Sequence, residues 1–303
     1  MMADFLKEPT ARTLVAGDLK AVFLPAHGML GASLRQRGVE MLGRVEDLEG
    51  AAAKGSTAGI PFLHPWANRL AEPRYYILGQ RVELEASSPL LHLDEHKLPM
   101  HGVPWSLLRW VVTEAGQDFV TARLEWSTRD LLAIFPFRHR VELAANLRLD
   151  GLTLETTLVA GSDGPVPISF GFHPYLRLPE LSRVNWHLEL PEMRKLELDV
   201  RGIPNGDDAL FGGFNGQLGE HSFDDGFALL QERTSFSVAG AARTVSVDFL
   251  EGYRYAQVFA PKDKDYIAFE PMTAPTSALT SGRGLRLVGP DERFRAVFRI
   301  VID

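Results

Sequence analysis

Apolar residues recur at every second position along most of this chain. Val120, Ala122, Leu124 and Trp126 alternate with polar neighbours. Val141, Leu143, Ala145, Leu147 and Leu149 do the same up to Asp150-Gly151, and Leu152, Leu154, Thr156 and Leu158 alternate away from it. A period of two puts successive side chains on opposite faces of an extended strand, so each run predicts a strand with one buried face. Asp-Gly between two such runs predicts a hairpin turning at those residues, because both tolerate positive φ. Tyr76 and Leu78, then Gly79-Gln80, then Val82 and Leu84 predict a second hairpin. The pattern returns at Val184, Trp186, Leu188 and Leu190, at Leu196, Leu198 and Val200, and at Val245, Val247 and Phe249, with a last strand near 296–301. No long stretch carries the 3.6-residue period of a helix. One short helix is expected around residues 46–54.

Glycine and proline are spread evenly between these runs, and no linker or composition shift divides the chain. The expectation is therefore one antiparallel all-β domain over residues 1–303. A sheet that large must pack on another or close on itself, which favours a sandwich with room for a small ligand on a face or rim.

Composition narrows the partners. The 303 residues are ordinary in apolar and charged content, with a net charge of -7 and no basic block. That argues against nucleic acid and against an anionic membrane surface. With no cysteine, there is no disulfide framework, thiolate zinc site or cysteine nucleophile. Residues 1–8 lack the apolar core of a leader, and no run approaches the ~18 apolar residues of a membrane helix. A soluble, cytoplasmic protein is expected.

Chemistry-bearing residues sit in loops between the strands. In the Gly/Pro-rich stretch 59–70, Trp66, Asn68 and Arg69 lie close together. An aromatic face beside amide and guanidinium donors suits a polyhydroxylated ligand, and a plain surface turn explains the stretch equally well. His64 reads as packed beneath it. His101-Gly102 lies in a second such loop, with His92 and His96 upstream in a polar segment read as solvated and not as a metal site. His173 stands in Gly171-Phe172-His173-Pro174-Tyr175, a histidine among aromatics that by itself reads as packed. Asp224-Asp225-Gly226 offers two carboxylates pointing to opposite sides of an extended chain. Gln257 is expected to share a face with Tyr253, Tyr255 and Phe259. Glu270 ends an apolar strand before Pro271, where desolvation should raise its proton affinity.

Taken in order, Asn68-Arg69-Leu70, His101-Gly102, 171–175, Phe223-Asp224-Asp225-Gly226-Phe227, Gln257-Val258-Phe259 and Phe269-Glu270-Pro271 resemble the aldose 1-epimerase (galactose mutarotase-like) family. The resemblance implies a large antiparallel β-supersandwich with a sugar-binding cleft, no cofactor and no metal. It implies an isomerase that interconverts the anomers of a free monosaccharide of glucose or galactose type. His173 would be the acid at the ring oxygen, Glu270 the base at the anomeric hydroxyl, and His101 a polarising donor. Arg69, Asn68, Asp224 and Gln257 would hold the other hydroxyls, with Trp66 influencing which sugar fits. Asp225 stands where many members have histidine, which leaves Asp224 and Asp225 as alternatives. A hexose-6-phosphate 1-epimerase ranks second, since the arginine those relatives carry soon after His-Gly is absent from Val103-Pro104-Trp105-Ser106. A non-catalytic sugar-binding domain ranks third. The scheme expects Glu270 to face His173 across a sugar-sized gap.

Overall fold

The alternating runs pair into two large antiparallel sheets in the computed structural model, which describes residues 8–303. The segment 1–8 therefore lies, apart from Glu8, outside the described residues. One sheet has nine strands. Its centre runs from Phe119–Trp126 through His139–Arg148, Gly151–Ala160 and Arg293–Ile302 to Thr244–Glu251. The other sheet has eight. It passes from Pro204–Phe211 through Met193–Leu198, Phe223–Leu229, Tyr255–Ala260 and Ile267–Met272 to the short strands Gly171–Phe172 and Phe62–Leu63, with Tyr175–Leu176 also paired to Ile267–Met272. A four-stranded sheet from the first forty residues packs alongside.

The two large sheets meet face to face, which is where the apolar half of each alternating run goes. Val141, Leu143, Ala145 and Leu147 are wholly buried, while residues between them are partly exposed. Phe269 of the eight-stranded sheet packs on Phe236 of the nine-stranded one, and Phe172 packs on Phe298. Ile267–Met272 is different: all six residues are buried, so it shows no alternation. Its Phe269 face looks into the inter-sheet core and its Glu270 face into a cavity on the other side. This explains why an acid could sit in an apolar run.

Several expectations shift by a residue or two. The Asp150-Gly151 hairpin forms, but Arg148 pairs with Gly151, so the turn is Leu149-Asp150. The strand predicted from Val184 starts at His187, and Val184 lies in a short 3-10 turn, half exposed. Val200 is 94% exposed beyond the end of Met193–Leu198. In both places the alternation ran on into turn residues. The short helix is present at Leu48–Ala53, where the Asp47 carboxylate caps the Gly50 N–H at 2.8 Å. A second helix, Arg129–Ile134, starts on Thr128 and was not expected.

Under the 59–70 loop lies a buried histidine pair. His139 Nδ1 is 2.6 Å from the Phe137 carbonyl, which can only accept, so this nitrogen carries the proton. The neutral ring then accepts at Nε2 from the Nε2–H of His64, 2.8 Å away. Burial lowers the pKa of His139 to about 4, and that of His101 to about 3. In the unfolded chain both would titrate near 6.5. Stability from each is thus fully present above about pH 6.5 and is lost as pH falls toward the folded pKa. At pH 5 each should cost about 2 kcal/mol relative to neutral pH. Urea midpoints should fall between pH 7 and pH 5, and an unchanged midpoint would contradict the burial of neutral rings.

Candidate active site

A cavity of about 330 Å³ opens on the Glu270 face of the eight-stranded sheet. Three neighbouring strands supply its floor. Asp224, Gln257 and Glu270 lie side by side because Gly226 pairs with Gln257 and Gln257 with Glu270. Gln257 Nε2 donates to Asp224 Oδ1 at 2.7 Å. Asp225, one residue on, faces the other way and pairs with Lys195 at 2.7 Å. The strand period thus turns Asp224 into the cavity and Asp225 to the opposite face of the sheet. Burial raises the proton affinity of Asp224, with Gln257 and the Arg69 charge acting against the rise.

His173 arrives from the strand Gly171–Phe172. Gly171 is pressed between two strands, and a Cβ there would lie 2.7 Å from the Pro271 carbonyl oxygen, so only glycine allows the approach. The His173 ring stacks on Tyr175 at 4.1 Å and meets Phe259 and His101 edge-on. Phe172 turns the other way, into the core. His173 Nε2 lies 3.1 Å from Glu270 Oε1, and both side chains are almost wholly buried. This corrects the expected sugar-sized gap. The anomeric hydroxyl and the ring oxygen hang on the same carbon, so an acid and a base serving both must stand next to each other. Burial pushes the Glu270 pKa well up, reinforced by Asp224, and pushes the His173 pKa well down, reinforced by His101 and Arg44. Glu270 Oε2 has no protein partner.

Two loops lock the remaining donors. Asn68 and His101 both have left-handed backbones, and each N–H serves the other residue: His101 N to Asn68 O at 2.9 Å, Asn68 N to His101 Nδ1 at 3.1 Å. Nδ1 is therefore an acceptor, and neutral His101 carries its proton on Nε2. Gly102 must be glycine, since a Cβ would lie 2.2 Å from the His64 carbonyl oxygen. Asn68 Oδ1 accepts from the Arg69 backbone N–H at 2.8 Å. The Arg69 guanidinium is aimed by Asp94, Nε to Oδ2 at 2.6 Å, with Glu95 at 3.6 Å. Burial would raise the pKa of Asp94, but the Leu98 N–H and Arg69 outweigh it and hold it below the usual carboxylate range. Asp94→Asn keeps the backbone acceptor and removes the charge that aims Arg69. It should raise the KM for sugar about tenfold with little change in kcat, by loss of one charge-assisted hydrogen bond. A kcat loss with unchanged KM would contradict this assignment.

Of the residues singled out in the sequence, His173, Glu270, His101, Arg69, Asn68, Asp224 and Gln257 all line the cavity. Trp66 does not. It is 1% exposed and belongs to the hydrophobic core, so it cannot stack on a ligand. Tyr253 packs against Phe249 and Phe298 because the strand begins only at Tyr255. Tyr175, expected among the aromatics around His173, and Phe259, expected on the Gln257 face, also line the cavity, as do Arg44, Ser56, Thr57 and His92, to which the sequence reading gave no part in the site. Tyr175 is tied to Thr57 by a 2.6 Å hydroxyl contact. His92, expected in solvent, is partly buried against the site.

The fold is an all-β supersandwich with a polar cavity in which His173 and Glu270 are buried side by side. The chain belongs to the aldose 1-epimerase family, whose model matches residues 29–301. It is 23% identical to the uncharacterized protein YphB of Escherichia coli (strain K12) over 279 residues, covering 83% of this chain and 88% of that one. Among solved structures it is similar to a galactose mutarotase-like protein from Clostridium acetobutylicum, with TM-score 0.83, 19% identity and coverage of 97% and 95%. It is also similar to the Slr1438 protein from Synechocystis sp. PCC 6803, with TM-score 0.78, 22% identity and coverage of 100% and 99%. No helix among the described residues is long and apolar enough to cross a membrane.

Proposed function

We propose that the chain is an aldose 1-epimerase that interconverts the α and β anomers of free aldohexoses. The observation that carries this reading is the 3.1 Å contact of His173 with Glu270 on the wall of a cavity floored by Asp224 and Gln257. Glu270 takes the proton from O1 while His173 delivers one to the ring oxygen, and the C1–ring-oxygen bond breaks to give the aldehyde. Rotation about C1–C2 turns the other carbonyl face inward. On closing, His173 takes back the ring-hydroxyl proton and Glu270 returns its proton to O1, so the pair ends as it began.

The shared burial helps. Burial weakens the hold of His173 on a proton and strengthens that of Glu270, which favours a histidine that gives a proton up and a carboxylate that takes one. The neutral His101 donates from Nε2 toward the ring oxygen. Arg69, Asp224 and Gln257 grip the sugar away from C1, which leaves C1 free to rotate.

The test is exchange NMR on equilibrated D-glucose and D-galactose, with methyl α-glucoside as control. Interconversion of the free sugars should accelerate and the glycoside, which has no proton on O1, should not react. Catalysis on the glycoside, or on none of the aldoses, would overturn the reading.

A further inference from the structure

A functional imidazole is ordinarily aimed by a hydrogen bond to the ring nitrogen that does not do the chemistry. His173 lacks one. Its Nε2 meets Glu270 Oε1 at 3.1 Å, but Nδ1 has no hydrogen-bond partner among the described residues. The plane of the ring is set by packing instead. One face stacks on Tyr175, with centroids 4.1 Å and planes 21° apart, and Phe259 and His101 meet the ring edge-on.

A stack orients one ring only if the other is itself fixed, and Tyr175 is fixed at both ends. Its backbone N–H donates to the Gly59 carbonyl at 2.9 Å, and its phenol shares a 2.6 Å hydrogen bond with Thr57 Oγ1. Tyr266 meets the Tyr175 ring edge-on at 5.1 Å, and the Arg44 guanidinium lies over it at 5.2 Å. Thr57 and Tyr175 are both buried, and burial raises the pKa of the phenol, so it stays protonated. The segment that carries Thr57 is anchored in turn. Ser56 donates its N–H to the Ala51 carbonyl at 3.0 Å, and its own carbonyl accepts from Trp105 Nε1 at 2.9 Å. We infer that Thr57 is a positioning residue for the acid. Through the Tyr175 hydroxyl it holds the ring on which His173 stacks, and so sets the angle at which His173 Nε2 stands beside Glu270. Without the Thr57 hydroxyl the phenol is left buried and unpaired, and the ring must turn to find a partner.

This rests on the proposed epimerase reading for what His173 does, and the experiment separates the two. Exchange NMR on D-glucose and D-galactose would give kcat and KM for the wild-type chain, Thr57→Val, Thr57→Ser, Tyr175→Phe and the double variant Thr57→Val/Tyr175→Phe. In Thr57→Val kcat should fall about tenfold while KM changes by less than about twofold, as for a misaligned acid in an intact binding site. Thr57→Ser keeps a hydroxyl and should recover most of that loss. The double variant should be no slower than Thr57→Val alone, because Tyr175→Phe removes the phenol that lacks a partner. The Cε1–H resonance of His173, shielded by the Tyr175 ring, should move downfield in Thr57→Val and return in Thr57→Ser. Thr57 also lines the cavity, so a rise in KM at constant kcat would mean that it grips the sugar directly and would overturn the inference. A His173 resonance that Thr57→Val leaves in place overturns it too. Should the wild type turn over no sugar, the epimerase reading fails, and the same resonance still decides whether Thr57 sets the ring.

Discussion

Glu270→Gln is expected to slow anomer interconversion about 10²–10⁴-fold, the usual contribution of a positioned acid–base group. The amide keeps the shape of the carboxylate and can still meet His173 Nε2, 3.1 Å away. It cannot take the proton from O1. Stability should not suffer. In the wild-type fold burial raises the Glu270 pKa well above its unfolded value. The stability tied to that proton is complete below the unfolded pKa near 4.5 and is lost as pH rises through the folded one. The amide removes this pH-linked loss, so the variant should be at least as resistant to urea as the wild type at pH 8. Steady-state rates and urea midpoints on the same preparation check both halves. Retention of more than a tenth of the wild-type rate would remove Glu270 from the chemistry.

Trp66→Ala should cost about 3–5 kcal/mol of stability, the range for truncating a large buried aromatic. Trp66 is 1% exposed and sits in the same core as Phe62 and Leu70. Its substitution leaves a void that neighbours in paired strands cannot close. Trp66→Phe should lower the urea midpoint by less and leave the KM for sugar unchanged. A large rise in KM without loss of stability would restore the ligand-stacking role that the stretch 59–70 suggests in the sequence.

These two residues mark what is readable from the chain alone. Glu270 stands out because an acid within Ile267–Met272, an otherwise apolar strand, needs a reason to be there. His173 and His101 gain meaning from the ordered motifs around them. Trp66 misleads because two prolines and a glycine read as a surface turn, while here they fold over the core above the His64–His139 pair. Alternation says that Asp224 and Asp225 face apart, but not which side holds the cavity. That depends on Gly226 pairing with Gln257. Arg44 comes from a loop and His92 and Tyr175 from two separate short strands, and they meet only after the sheets are assembled. Strand order is equally hidden: Gly151–Ala160 borders Arg293–Ile302, far along the chain, and no local pattern records it.

The central claim is that His173 and Glu270 together open and reclose a sugar hemiacetal. Polarimetry of freshly dissolved α-D-glucose and α-D-galactose, with the wild-type chain, His173→Gln and Glu270→Gln at equal concentration, tests it most directly. The account predicts a faster approach to the equilibrium rotation with wild type and near-buffer rates with either variant. A wild-type rate equal to buffer, or variants as fast as wild type, would contradict it.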